Sequence, residues 1–328
     1  MVHLVFISLA ALFRPHAKQL DEIRDPAASI MLENIVSAPV NIATNLQEDQ
    51  IIHATFVATD KSKDSGSLPP IVLMHGFDSS CLEFRKLMPE LQERNLEAYA
   101  IDILGWGFMD TSSARSVGVE AKRQLLYAFW QEVLGGRPML LAGVSLGAAV
   151  IIDFHDKYPQ AVSSAALIDP QGFIDGAPPV PDFLARFGIR VLGSWPLRYI
   201  ANQLAYYDKS TFATDEAVRI GLLHCSRPGW EDDSVAWLLG GGYSVSSLVP
   251  KLSRVPCLIL WGRQDEILPA KEYLPLFLDA LPDAAFRWVE ECGHSPHLEQ
   301  PHVLATALSL FLNGEKNLPG DSDTTYIR

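Results

Sequence analysis

The sequence predicts an α/β fold: a mostly parallel sheet covered by helices on both faces, with a block of helices inserted between two strands. Three observations carry this. From residue 50 onward, short apolar runs alternate with longer segments whose apolar residues recur at helical spacing. The short runs are apolar throughout rather than at every second residue, as strands buried on both faces of a parallel sheet require. The alternation then stops between Asp169 and Pro250, where roughly eighty residues intervene, far more than an ordinary connection.

The elements follow in order. Strands are expected at IIHATFVAT (51–59), IVLMHG (71–76), AYAIDIL (98–104), MLLAGV (139–144), AALIDP (165–170), CLILWG (257–262) and FRWVEE (286–291). Helices are expected at 79–95, 119–136, 146–158, 270–282 and 303–312, each with an apolar stripe at helical spacing. The stretch from 170 to 250 has helical patterns of its own and is rich in aromatics, among them Trp195, Tyr199, Trp230, Trp237 and Tyr243. It reads as a helical lid over the carboxyl ends of the strands. Its aromatics either form the lid's own core or face a ligand. The division is residues 1–49 as an N-terminal extension, 50–169 and 251–313 as the core, 170–250 as the lid and 314–328 as a disordered tail.

Composition sets the outer limits. The chain has 328 residues, 48% hydrophobic and 20% charged, which excludes a disordered or fibrous chain. A formal charge of −13 argues against a nucleic-acid partner and against docking on anionic lipid. No window approaches the roughly 18 apolar residues of a transmembrane segment. What remains is a small apolar or amphipathic, uncharged substrate; oligomeric state is not legible. Cys81, Cys225, Cys257 and Cys292 show no CxxC spacing and read as ordinary buried thiols, with a disulfide the alternative. Leu4 to Phe13 is an apolar run that reads either as the h-region of a signal peptide or as an N-terminal element packed on the domain. No Lys or Arg precedes it, and Pro15-His16-Ala17 makes a poor cleavage site.

The chemistry concentrates at strand ends. Gly143-Val144-Ser145-Leu146-Gly147 follows the strand MLLA and opens a helix. A serine on a sharp strand-to-helix turn needs glycines two before and two after it, and the turn pushes its hydroxyl outward. Such a hydroxyl is a weak nucleophile until a histidine takes its proton and an acid orients that histidine. His294, after the last strand, is the candidate base; Asp265, after CLIL, is the candidate acid, 29 residues earlier. The rivals are Asp169 for the acid, and His297 and His302, which read as loop and helix-cap residues. Grouping the three histidines as a metal site would require a further ligand at suitable spacing, so no metal is expected. A negative oxygen formed at the serine needs preorganised N–H donors. Leu146, next to the nucleophile, and Phe77, in His75-Gly76-Phe77-Asp78-Ser79-Ser80, are the candidates. Asp102 and Gly105-Trp106-Gly107 read as structural, with Trp106 a candidate for lining the pocket.

These residues resemble the α/β-hydrolase superfamily over roughly 51–311, through HGFDSS, DILGWGF, GVSLGAA, LWGRQDEILP and CGHSPHLEQP. The resemblance implies an eight-stranded sheet with the lid after strand 6. It also implies Ser145 as nucleophile, Asp265 as acid, His294 as base, Phe77 and Leu146 as oxyanion donors, and no cofactor. The expected activity is that of a serine esterase. Within the superfamily, HGFDSSCLEFR and LLHCSRPGWEDDSVAWLLGGGYSVSSLV look like a plant and algal group, often plastid-associated and related to chlorophyll dephytylases. That likeness implies a plastid location, although Val144 stands where dephytylases tend to carry Asn. Ser145 excludes the epoxide hydrolases and haloalkane dehalogenases, which place an aspartate there. WGRQDEILP resembles the acid loop of carbon–carbon bond hydrolases, which makes such an enzyme the alternative. A triad-bearing ligand receptor with little turnover is a third reading.

Overall fold

The computed structural model describes residue 20 and residues 22–42, 50–60, 68–176 and 179–315. The apolar run Leu4 to Phe13 and nearly all of the C-terminal tail lie outside the described residues.

The described residues form an eight-stranded sheet in the order β1-β2-β4-β3-β5-β6-β7-β8. Its strands are β1 (Val36–Ile42), β2 (Gln50–Ala58), β3 (Ile71–Met74), β4 (Ala98–Ile101), β5 (Met139–Val144), β6 (Val162–Ile168), β7 (Cys257–Gly262) and β8 (Ala285–Val289). The pairs β1/β2 and β2/β4 are antiparallel, and every other pair is parallel. β3, β5 and β7 are buried at every residue, as their unbroken apolar runs predict.

Two apolar layers sandwich the sheet, and the period of two along a strand separates them. Ile71 and Leu73 face the layer holding α1 (Pro26–Glu33), α2 (Leu87–Glu93) and α12 (Pro301–Leu312). Val72 and Met74 face the layer holding α3 (Val119–Glu132), α4 (Leu146–Lys157) and α10 (Ala270–Ala280). Asp25 caps α1 by accepting from the N–H groups of Ala27 and Ala28, with Pro26 at the first helical position.

One boundary needs correction. The sequence reading opens the core at residue 50, but β1 adds seven residues that pair with β2 from Val36↔Phe56 to Ile42↔Gln50. The segment VSAPVNI has no unbroken apolar run because it lies at the sheet edge, where a proline such as Pro39 is tolerated.

Between β6 and β7 lies the inserted block. It holds α5 (Asp182–Leu192), α6 (Trp195–Ala205), α7 (Lys209–Phe212), α8 (Asp215–Leu222) and α9 (Trp230–Leu239). A 3-10 segment, Ser246–Arg254, leads back into the core, with Val249 and Leu252 buried against the α4 layer. The insertion's aromatics divide: Trp230 and Tyr243 are buried, whereas Trp195, Tyr199 and Tyr207 are exposed.

Candidate active site

Ser145 joins β5 to α4 with φ 51° and ψ −119°, a strained conformation that its surroundings enforce. Its N–H donates to Ile168 O at 2.9 Å, and its carbonyl accepts from Ala148 and Gln171. The flanking glycines are required by space. A Cβ on Gly147 would lie 2.2 Å from Met74 O, and one on Gly143 would lie 2.4 Å from the carbonyl carbon of Gly147. Leu146 is the first residue of α4, so its N–H lacks a helical acceptor by construction and lies at the positive end of the helix dipole.

His294 follows β8, and its Nδ1 lies 2.7 Å from Oδ2 of Asp265, which follows β7. A carboxylate only accepts, so Nδ1 carries the proton and Nε2 is left basic. The other oxygen of Asp265 accepts from the N–H groups of Ile267 at 2.8 Å and Leu268 at 2.9 Å, which stops the carboxylate from turning. The two loops are stitched together, since Gln264 donates from its N–H to Cys292 O and accepts from Cys292 N at its side chain. A Cβ on Gly262 would lie 1.9 Å from Gly293 O, so the two loops could not approach this closely without glycine there.

The loop His75–Ser80, which carries the candidate oxyanion donor Phe77, follows β3. His75 donates from Nδ1 to Gly76 O at 2.8 Å and accepts from Ile103 N at Nε2, and burial pushes its pKa down to about 3. The N–H of Gly76 goes to Glu83 at 2.8 Å, and Ser79 O accepts from Gly107 N. Among the described residues the Phe77 N–H has no protein acceptor. A cavity of about 310 Å³ is lined by Phe77, Ser145 and His294 together with insertion residues such as Leu192, Leu197 and Ala201.

Residues 71–307 match the model of the alpha/beta hydrolase family. This chain belongs to that family. It is 34% identical over 301 residues to the alpha/beta hydrolase domain-containing protein VTE7 of Arabidopsis thaliana, covering 91% of this chain and 89% of that protein. It is 24% identical over 268 residues to the human (Homo sapiens) monoacylglycerol lipase ABHD6, covering 77% of each chain. Among solved structures, a thermophilic esterase from Thermogutta terrifontis superposes with a TM-score of 0.68 at 21% identity, covering 86% of this chain and 99% of that one.

The remaining expectations sort themselves in this hydrolase. Trp106 does not line the cavity. It is fully buried and stacks edge-on behind Phe77 at 5.3 Å and against Trp237 at 5.2 Å. Asp102 is structural, accepting from Thr55 Oγ1 and from the N–H groups of Cys81 and Phe108. Asp169, the rival acid, is buried beside Asp265 and accepts from Gly262 N at 2.8 Å. His302 lies apart on α12, exposed, within hydrogen-bonding distance of Arg94 and Glu90.

His297 is a correction. It lies in the short helix α11 (Pro296–Glu299), buried, with its ring against Phe84 at 5.5 Å and on the cavity wall. A four-residue helix is too short to show periodicity, so no sequence signal placed it there.

Sequence reasoning also missed Glu299. Its Oε1 accepts from Gly293 N at 2.7 Å, and its Oε2 accepts from Tyr207 N and Asp208 N, tying the histidine loop to the insertion. The N–H of His294 itself donates to Ala205 O at 2.7 Å. All four cysteines are free thiols.

Proposed function

We propose that this hydrolase cleaves carboxylic esters of apolar or amphipathic substrates through an acyl-enzyme on Ser145. The observation that carries the reading is a single arrangement. Ser145 and His294 line one cavity, while Asp265 holds the far side of the imidazole at 2.7 Å. In this mechanism Nε2 of His294 takes the proton of Ser145 as Oγ attacks the carbonyl. Asp265 keeps the ring in its working tautomer and stabilises the imidazolium. The N–H groups of Phe77 and Leu146 hold the oxyanion, a contribution worth roughly 10²–10³ in rate per donor in comparable sites. His294 then protonates the leaving alcohol, water takes its place, and the same steps in reverse order free the acid.

The insertion acts as a lid in this reading, because Leu192, Leu197, Ala201 and Ile220 give the cavity an apolar wall. The proposal includes a plastid setting, which rests on the likeness of HGFDSSCLEFR to the plant and algal group and on the Arabidopsis relative.

Labelling with a fluorophosphonate probe and a panel of esters varying in acyl and alcohol size test it. Ser145→Ala should abolish both labelling and turnover. Labelling that survives the substitution would overturn the assignment, and a labelled serine with almost no turnover would move the reading to a ligand receptor.

A further inference from the structure

Asp78 follows Phe77 in the loop that carries the oxyanion donor. Its side chain is buried, and its backbone is held at φ 48°, a region a non-glycine residue keeps only when its surroundings over-determine it. Among the described residues, the donors to its carboxylate come from the insertion. Trp230 Nε1 donates to Oδ1 at 2.7 Å, and His224 Nε2 meets the same oxygen at 3.0 Å. The Arg198 guanidinium pairs with Oδ2, and its Nη1 donates to the Asp78 carbonyl at 3.2 Å. These partners stand 152, 146 and 120 residues further along the chain.

On its other side the loop is tied to the core through Gly76 N on Glu83 and Ser79 O on Gly107 N. The Phe77 N–H is therefore suspended between one anchor in the core and one in the insertion. We propose that Asp78 is a positioning residue for the oxyanion hole, through which the docked insertion aims the Phe77 N–H. The insertion then does more than cover the cavity. If it moves off, Asp78 loses its donors, its backbone relaxes toward negative φ, and the peptide plane beside Phe77 turns. The oxyanion hole is complete only while the insertion is seated. The catalytic consequence rests on the ester-hydrolase reading.

The test uses the full chain with a short-chain nitrophenyl ester, whose acyl group is too small to depend on the insertion for binding. Trp230→Phe removes one donor to Asp78 and keeps most of the packing. Asp78→Asn keeps the shape and tolerates the same φ but removes the charge. The proposal expects kcat to fall about fivefold or more in Trp230→Phe and at least about tenfold in Asp78→Asn, with KM within about twofold of the parent. The double variant should be no worse than about twofold below Asp78→Asn, since Trp230 acts through Asp78. Rates of fluorophosphonate labelling should fall in parallel. A kcat within about twofold of the parent in both variants, losses confined to KM, or fully additive losses would each overturn the proposal. Should Asp78→Asn fail to fold, Trp230→Phe decides alone. If the parent neither labels nor turns over, the ester reading fails, and the clamp is read by hydrogen exchange across residues 75–80. Faster exchange there in Trp230→Phe supports the clamp, and unchanged exchange overturns it.

Discussion

Asp169 and Asp265 bring their carboxyl groups within 4.8 Å of each other beside His294. Two buried carboxylates this close do not both ionise readily. Burial and the Asp265 charge push the pKa of Asp169 well above the carboxylate range. Asp169 is the member that keeps its proton, and Asp265 is the one whose carboxyl lies 2.7 Å from His294 Nδ1.

This division of labour predicts different costs. Asp265→Asn should lower kcat by about 10⁴, through the wrong histidine tautomer. Asp169→Asn replaces a neutral acid by a neutral amide of the same shape, and should stay within about threefold of the parent. Steady-state kinetics on one nitrophenyl ester measures both; equal losses would show that the two acids share the role.

The glycines flanking Ser145 make a stability prediction. At Gly147 an added methyl meets Met74 O at 2.2 Å, and neither group is a side chain that can swing away. Gly147→Ala should therefore cost more than about 3 kcal/mol, read from the midpoint of denaturant unfolding. Gly188 in α5 has nothing within 4 Å of such a methyl. There the same substitution should stabilise by about 0.5–1 kcal/mol.

Buried histidines contribute to the pH dependence of folding with opposite signs. Burial pushes the pKa values of His75 and His297 down to about 3 from 6.5. Below 6.5 the unfolded chain takes up protons that the native state refuses, so stability falls with falling pH by up to about 1.4 kcal/mol per unit for each group. Burial also opposes charge at His224, but the Cys225 sulfur and the Asp78 carboxylate outweigh it and raise its pKa to about 9. That contribution is complete below 6.5 and is lost as pH rises through 9. Between pH 6.5 and 9, thermal unfolding of His224→Gln should therefore lose less stability with rising pH than that of the parent.

How much of this was legible differs by kind of signal. The grouping of the candidates Ser145, Asp265 and His294 was legible because each lies shortly after a strand, and strand ends of one parallel sheet share an edge. The central strands were readable because burial on both faces leaves an unbroken apolar run. β1 was not, since an edge strand with Ser37, Pro39 and Asn41 carries neither an unbroken run nor a turn signal. α1 had left a trace in Asp25-Pro26, a cap followed by a proline at the first helical position. The partners of Asp78 left none. Arg198, His224 and Trp230 lie on separate pieces of the insertion, and only the folded chain brings them to one carboxylate.

β1 has one more consequence, for the chain's behaviour in a crowded solution. It covers the outer edge of β2, nine residues long and carrying the exposed Ile51. A truncation at residue 50 would leave that ladder open to the next copy of the chain, as a template for edge-to-edge aggregation. With β1 in place the outermost strand contains Pro39, which cannot donate to an added strand. The seven residues from Val36 to Ile42 act as a selvedge, finishing the sheet so that it does not recruit its neighbours.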